Sequence, residues 1–171
     1  MARTKLQKRD IFEAALNAIY AKDKGYNVII PHIIDNQNLF HGSFAHDIEK
    51  RYPSVKINYN LLGKNFLNKN PGHVQFNDVD REASYNRRLI IATMIAQSGI
   101  KNKNNLRPLN YAYLVKSMVQ VKKFILQNFN SENKVMIYAP KFGTGHSGGN
   151  WRFIEDLIKD IWKDIDVVIY P

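Results

Sequence analysis

The sequence predicts an α/β fold: a three-layer α/β/α domain built on a central mixed sheet. Three observations carry this expectation. Short, almost continuously apolar runs at 26–34, 88–97, 134–140 and 166–170 read as strands buried on both faces. Segments with apolar residues at helical spacing alternate with them, so helices cover the sheet. The run at 73–79 and the one at 88–97 have no helical crossover between them, which makes a mixed sheet the expected arrangement.

Taken in order, residues 1–9 are polar and basic and read as a tail or an edge element. Asp10 is a suitable N-cap, and Ile11, Phe12, Ala15, Leu16, Ile19 and Tyr20 then follow at helical spacing until Lys24-Gly25. The strand at 26–34 runs into Asp35-Asn36-Gln37-Asn38, a loop at the C-terminal strand end, where open α/β sheets bind their ligands. A helix over 43–51 stops at Tyr52-Pro53, because proline disfavours helical geometry in the residue before it. Residues 56–70 are polar apart from Leu61-Leu62 and Phe66-Leu67 and read as a short helix and a loop, closed by the Pro71-Gly72 turn. The stretch 73–79 alternates like a strand, and 88–97 is a buried one. A basic loop over 102–109 leads into the strongest helix, 110–129, with Leu114, Val115, Met118, Val119, Phe124, Ile125 and Phe129 on one side.

With 171 residues, the chain is long enough for a single domain, 1–171, with an unstapled core. No cysteine is present, which excludes disulfides, thiolate nucleophiles and thiolate metal sites. No His/Asp/Glu spacing suggests a metal site. No apolar run reaches membrane-span length and no signal-peptide core opens the chain, so a cytoplasmic protein without membrane contact is expected. A net charge of +10 favours phosphorylated or polyanionic partners. Its cations are scattered, without the basic-aromatic interleaving of single-strand binders. They form either a solvated surface or one with weak nucleic-acid contact.

The most informative stretch is Pro140-Lys141-Phe142-Gly143-Thr144-Gly145-His146-Ser147-Gly148-Gly149-Asn150-Trp151. It holds four of the nine glycines. It follows a buried strand and precedes a helix with Trp151, Ile154, Leu157, Ile158, Ile161 and Trp162 on one face. Strand, glycine-rich loop and helix together offer backbone N–H groups and a positive helix end to a phosphate. The expected cradle is the main chain of Thr144 to Gly148 backed by the start of that helix. The spacing fits neither a P-loop nor a simple dinucleotide fingerprint.

The order of motifs resembles the macro domain family, in particular its ADP-ribose-1″-phosphate phosphatase and ADP-ribosyl-glutamate hydrolase branch. Four segments carry the resemblance: Val28 to Ala45, Gly72-His73-Val74-Gln75-Phe76 with Ile91 to Gly99, Arg107 to Leu114, and Pro140 to Trp151. The last matches the family's Pro-x-x-Gly-x-Gly-x-x-Gly-Gly-x-Trp loop. The resemblance implies an ADP-ribose cleft across the C-terminal strand ends, with the diphosphate between two glycine loops and no cofactor required. Asp10-Ile11 matches the Asp-Ile of the adenine-binding motif, with Arg9 in place of its glycine; Asp10 is then either an adenine ligand or a helix cap. In the first loop His41-Gly42-Ser43-Phe44-Ala45 replaces both flanking glycines, which is expected to crowd the cleft. Asp35, beside Asn36, takes the place of the ribose-binding asparagine. Asn150 replaces an acidic residue before the tryptophan, and His146 an apolar one.

The resemblance therefore implies ligand contacts from Asp10, Asn36, Gly42, Ser43, Phe44, Gly143, Thr144, Gly145, Ser147, Gly148 and Asn150. Asp35, His41 and His146 are the candidates for activating water. His32 and His73 read as core or edge residues. The implied activity is hydrolysis of an ADP-ribose derivative, at a phosphomonoester or an ADP-ribosyl linkage. The alternatives are a module that holds ADP-ribose or a related adenine nucleotide without turnover, for example a phage protein sequestering a host defence nucleotide, and a degenerate domain with a basic binding surface.

Overall fold

The computed structural model describes residues 4–171. Six strands form one sheet: β1 (Thr4–Leu6), β2 (Asn27–Ile34), β3 (Val74–Glu82), β4 (Arg87–Ile95), β5 (Val135–Pro140) and β6 (Val167–Tyr170), in the order β1-β6-β5-β2-β4-β3. All neighbours run parallel except β3 and β4, which pair antiparallel, Val74 opposite Met94 and Glu82 opposite Arg87. The sheet is therefore mixed, for the reason visible in the sequence: the four residues between β3 and β4 permit only a hairpin. The basic start of the chain supplies the edge strand β1, which pairs with β6.

The helices are α1 (Ile11–Tyr20), α2 (Ser43–Arg51), α3 (Pro53–Leu62), α4 (Lys64–Lys69), α5 (Tyr111–Asn128) and α6 (Trp151–Ile161). Two helices, α3 and α4, stand where one helix and a loop were expected. Pro53, which ends α2, also opens α3 at a position where its missing N–H is harmless. Gly63, at φ 83°, separates α3 from α4.

β2 shows how the layers form. Val28, Ile30 and Ile34 pack on one face with Phe12, Ala15, Ile19, Ile48 and Tyr59 from α1, α2 and α3. Ile29 packs on the other with Leu114, Met118, Ile154 and Ile158 from α5 and α6. A strand covered on both sides has no polar face to show, hence its unbroken apolar run. From β2 the chain turns towards β3 and β4; from β5 it turns through α6 towards β6. Adjacent strands whose connections leave in opposite directions open a crevice at their C-terminal ends. Among the described residues, no helix is long and apolar enough to cross a membrane.

Candidate functional site

Two loops wall this crevice. The first follows β2 and is shaped by Asp35. That carboxylate is fully buried. It accepts hydrogen bonds from the amides of Gln37 (2.9 Å), Leu39 (3.2 Å) and His41 (2.9 Å), and from the Tyr59 hydroxyl (2.9 Å). Burial, then the charge of Asp35, pushes the Tyr59 hydroxyl pKa up, so it stays a donor. Held this way, the loop takes left-handed backbone at Asn38 (φ 63°) and Phe40 (φ 57°). That geometry is tolerated by asparagine and costly for phenylalanine, and it places the Phe40 ring in the core against His32 and Tyr59.

Gly42 then opens α2 without any side-chain cap. Among the described residues, the first three amides of α2, on Ser43, Phe44 and Ala45, have no acceptor in the chain. The Cβ position of Gly42 meets nothing within 4 Å.

The second loop follows β5. Its turn Gly145–Ser147 is a single 3₁₀ turn, with Ser147 N–H donating to Thr144 O, Gly148 N–H to Gly145 O and Gly149 N–H to Gly143 O. Among the described residues, the amides of Thr144, Gly145 and His146 have no acceptor in the chain. Gly145, at φ 60°, also faces open space. Gly148, at φ 74°, instead sits against the Leu106 carbonyl, 2.5 Å from where a Cβ would stand. The Ser147 hydroxyl is buried and donates to Gln97 Oε1 at 2.7 Å, fixing the loop to the end of β4.

Between the loops lies a cavity of about 230 Å³, lined by His32, His41 to Ala45, Gln97, Lys101 and Pro140 to Ser147, among others. The replaced glycines of the first loop leave it open, since His41 and Ser43 are exposed rather than folded inward. Two lysines, Lys101 and Lys141, and no carboxylate stand among its lining residues. Exposed His41 and His146 approach across it, ring centroids 6.1 Å apart. On their far side a second cavity of about 280 Å³ is bounded by Leu39, Phe40, His46 and Glu49. Among the described residues, no group of three His, Asp or Glu side chains is placed to hold a metal ion.

Of the residues singled out by sequence, His41, Gly42, Ser43, Phe44, Gly143, Thr144, Gly145, His146 and Ser147 meet at this cavity. The others stand elsewhere. Asp35 lies fully buried behind the first loop and outside the cavity lining, its Oδ1 accepting from Gln37, Leu39 and Tyr59 and its Oδ2 from His41. Asp10 caps α1 through Glu13 N–H and pairs with Arg51 at 3.3 Å. Asn36 ties the first loop to the amide of Gly99 and to Asn68. Asn150 caps α6, accepting from Phe153 N–H at 3.2 Å, so the helix start facing the cavity is that of α2 and not of α6. Lys101, Lys141, Gln97 and His32 were missed. Lys141 follows β5 directly and Gln97 and Lys101 follow β4, so strand-end position was the signal available for them.

No family model matches the chain, and no curated protein matches it. Solved structures do. A Bacteroides thetaiotaomicron protein of unknown function superposes with a TM-score of 0.76 at 25% identity, over 99% of this chain and 98% of its own. A macrodomain protein from Streptomyces coelicolor does so with 0.72 at 20% identity, over 99% of each chain. The fold is that of a macrodomain. A third such match, at TM-score 0.60 and 10% identity over 96% of this chain and 52% of the other, is Thermosipho africanus DarTG in complex with ADP-ribose. In this macrodomain fold the cavity between the two loops occupies the C-terminal strand edge, and β2 and β5 form its floor.

Proposed function

We propose that the cleft binds ADP-ribose or a closely related adenine nucleotide through its diphosphate. One observation carries this: three unpaired amides at the start of α2 and three in the second loop line one cavity that holds two lysines and no carboxylate. Oriented N–H groups and a helix start are what a doubly charged diphosphate needs, and glycine at 42 and 145 keeps side chains out of its way. The enclosed volume is below the roughly 300–1,000 Å³ of complete small-molecule pockets. It suits the diphosphate and a sugar, with the nucleoside running out along the open crevice. The fold and the ADP-ribose held by the Thermosipho africanus protein support the same reading.

Calorimetry with ADP-ribose, NAD, AMP and inorganic pyrophosphate tests it. The expected order places ADP-ribose first, with pyrophosphate competing. Absence of heat with all four overturns it.

Turnover is the finer part of the proposal. With Asp35 buried outside the cavity, His41 and His146 are the side chains left to activate water, each exposed beside the cavity. ADP-ribose-1″-phosphate and ADP-ribosylated protein or nucleic acid are the substrates to test. A protein that binds ADP-ribose but turns over none of them acts as a sequestering module. The burial of the Asp35 carboxylate behind the loop favours that second reading.

A further inference from the structure

Gln97, just past the end of β4, and Ser147, in the second loop, are both buried and both line the cavity. The Ser147 hydroxyl donates to Gln97 Oε1 at 2.7 Å. Gln97 Nε2 lies 3.4 Å from the Gly99 carbonyl, so turning the amide over would set two acceptor oxygens against each other, and the Oε1 end stays with Ser147. Among the described residues this is the one side-chain hydrogen bond that joins the turn 144–148 to another element. Main-chain bonds converge on the same serine: its N–H donates to Thr144 O at 3.2 Å, and its carbonyl accepts from Leu109 N–H at 3.1 Å. Leu109 in turn bridges to Gln97. Ser147 is therefore where the glycine loop is fastened to the sheet. With glycine at 143, 145 and 148, all at positive φ, a released loop has many other shapes open to it.

We infer that Gln97 fits the second loop to an anion in two ways: through Ser147 it holds the amide cradle in its binding shape, and as a neutral amide it leaves the cleft without a negative charge. The inference rests on the nucleotide-binding reading above. Gln97 is a positioning residue, because it acts through Ser147. A cradle already in shape when the ligand arrives needs no ordering of the loop on binding, and the saving appears as affinity. Shape alone does not require glutamine, since a glutamate could accept the same hydrogen bond from Ser147. Charge does. The other titratable groups lining this cavity are Lys101 and Lys141, the exposed His41 and His146, and His32, which burial keeps neutral. A carboxylate among them would offset a lysine and repel the diphosphate.

Calorimetry with ADP-ribose tests both parts. Gln97→Met and Ser147→Ala each remove the bond, and each is expected to weaken binding about tenfold. The double variant is expected to bind no worse than either single one, because the same bond is lost in all three. Gln97→Glu keeps the bond to Ser147. It is expected to bind more than about tenfold more weakly than wild type at pH 8, with the gap closing as pH falls to 5. Titrations in buffers of different ionisation heat are expected to show about one more proton taken up per ligand bound than in wild type, as the new carboxyl is neutralised. Comparison with wild type removes the titration of His41 and His146, which both proteins share, and a role confined to folding would not move that proton count. Single variants that bind as wild type does, or losses that add in the double variant, overturn the positioning role. Gln97→Glu binding as wild type does at pH 8, with no added proton, overturns the role of charge. A wild-type protein that binds no nucleotide overturns the functional reading itself. Should Gln97→Met fail to fold, Ser147→Ala and Gln97→Glu still decide.

Discussion

His32 makes the stability of this protein depend on pH in a calculable way. Its ring is buried, and burial lowers its pKa from 6.5 to about 3. In the unfolded chain the imidazole takes a proton below 6.5; in the folded protein it refuses one until far lower pH. The stabilisation from keeping it neutral is therefore intact above 6.5 and is lost as pH falls towards 3. Each pH unit in that window costs about 1.4 kcal/mol, which amounts to roughly 3 kcal/mol at pH 4. His73, half-buried, is lowered by burial and then by Lys116, and adds a smaller effect of the same sign. The assay is urea unfolding of wild type and His32→Gln at pH 7, 5.5 and 4. The glutamine variant loses stability at pH 7, but the gap to wild type is expected to narrow by about 3 kcal/mol on going to pH 4. Two stability curves that stay parallel over that range would refute a neutral buried imidazole.

Asp35→Ala strands the loop amides of Gln37, Leu39 and His41, while the Tyr59 hydroxyl keeps the residue 35 main-chain oxygen, and is expected to cost at least about 2 kcal/mol in denaturant unfolding while abolishing nucleotide binding; unchanged stability would mean that the first loop holds its shape by other means. Gly145→Ala has room for its methyl but not the backbone preference, so it is expected to fold with a loss of about 1–2 kcal/mol and to bind ADP-ribose markedly less well. Gly148→Ala meets the Leu106 carbonyl and is expected to lose more stability than Gly145→Ala; a reversed order in thermal unfolding would contradict the loop geometry. Lys101→Ala and Lys141→Ala are expected to weaken pyrophosphate binding several-fold at low salt and less at 0.5 M salt, as screening removes what each charge contributes. Salt-sensitive, sequence-independent retention of DNA or RNA would extend the net charge of +10 to a nucleic-acid surface, and its absence at low salt would limit those cations to solvation.

By itself, the sequence determined the layers, the mixed sheet and most of the cavity wall. Those features rest on local signals: apolar runs for β2, β4 and β5, helical spacing for α5 and α6, and a dense glycine loop whose positive φ values at Gly143, Gly145 and Gly148 no other residue adopts as easily. Only the tertiary structure decided what each polar side chain does. Asp35 and Asn36 sit at a strand end, as ligand contacts do. Yet Asp35 is taken up by the amides of its own loop and Asn36 by Gly99 and Asn68. Asn150 follows the second glycine loop and is taken up by α6. His32 reads as core because it lies in an apolar run, and its stranded Nδ1 appears only when Thr93 on the neighbouring strand and the two loops are placed around it. Hydrophobic pattern is written along the chain, whereas the partner of a buried polar atom is fixed by residues far away in it, and that is why the cleft could be read from the sequence and its chemistry could not.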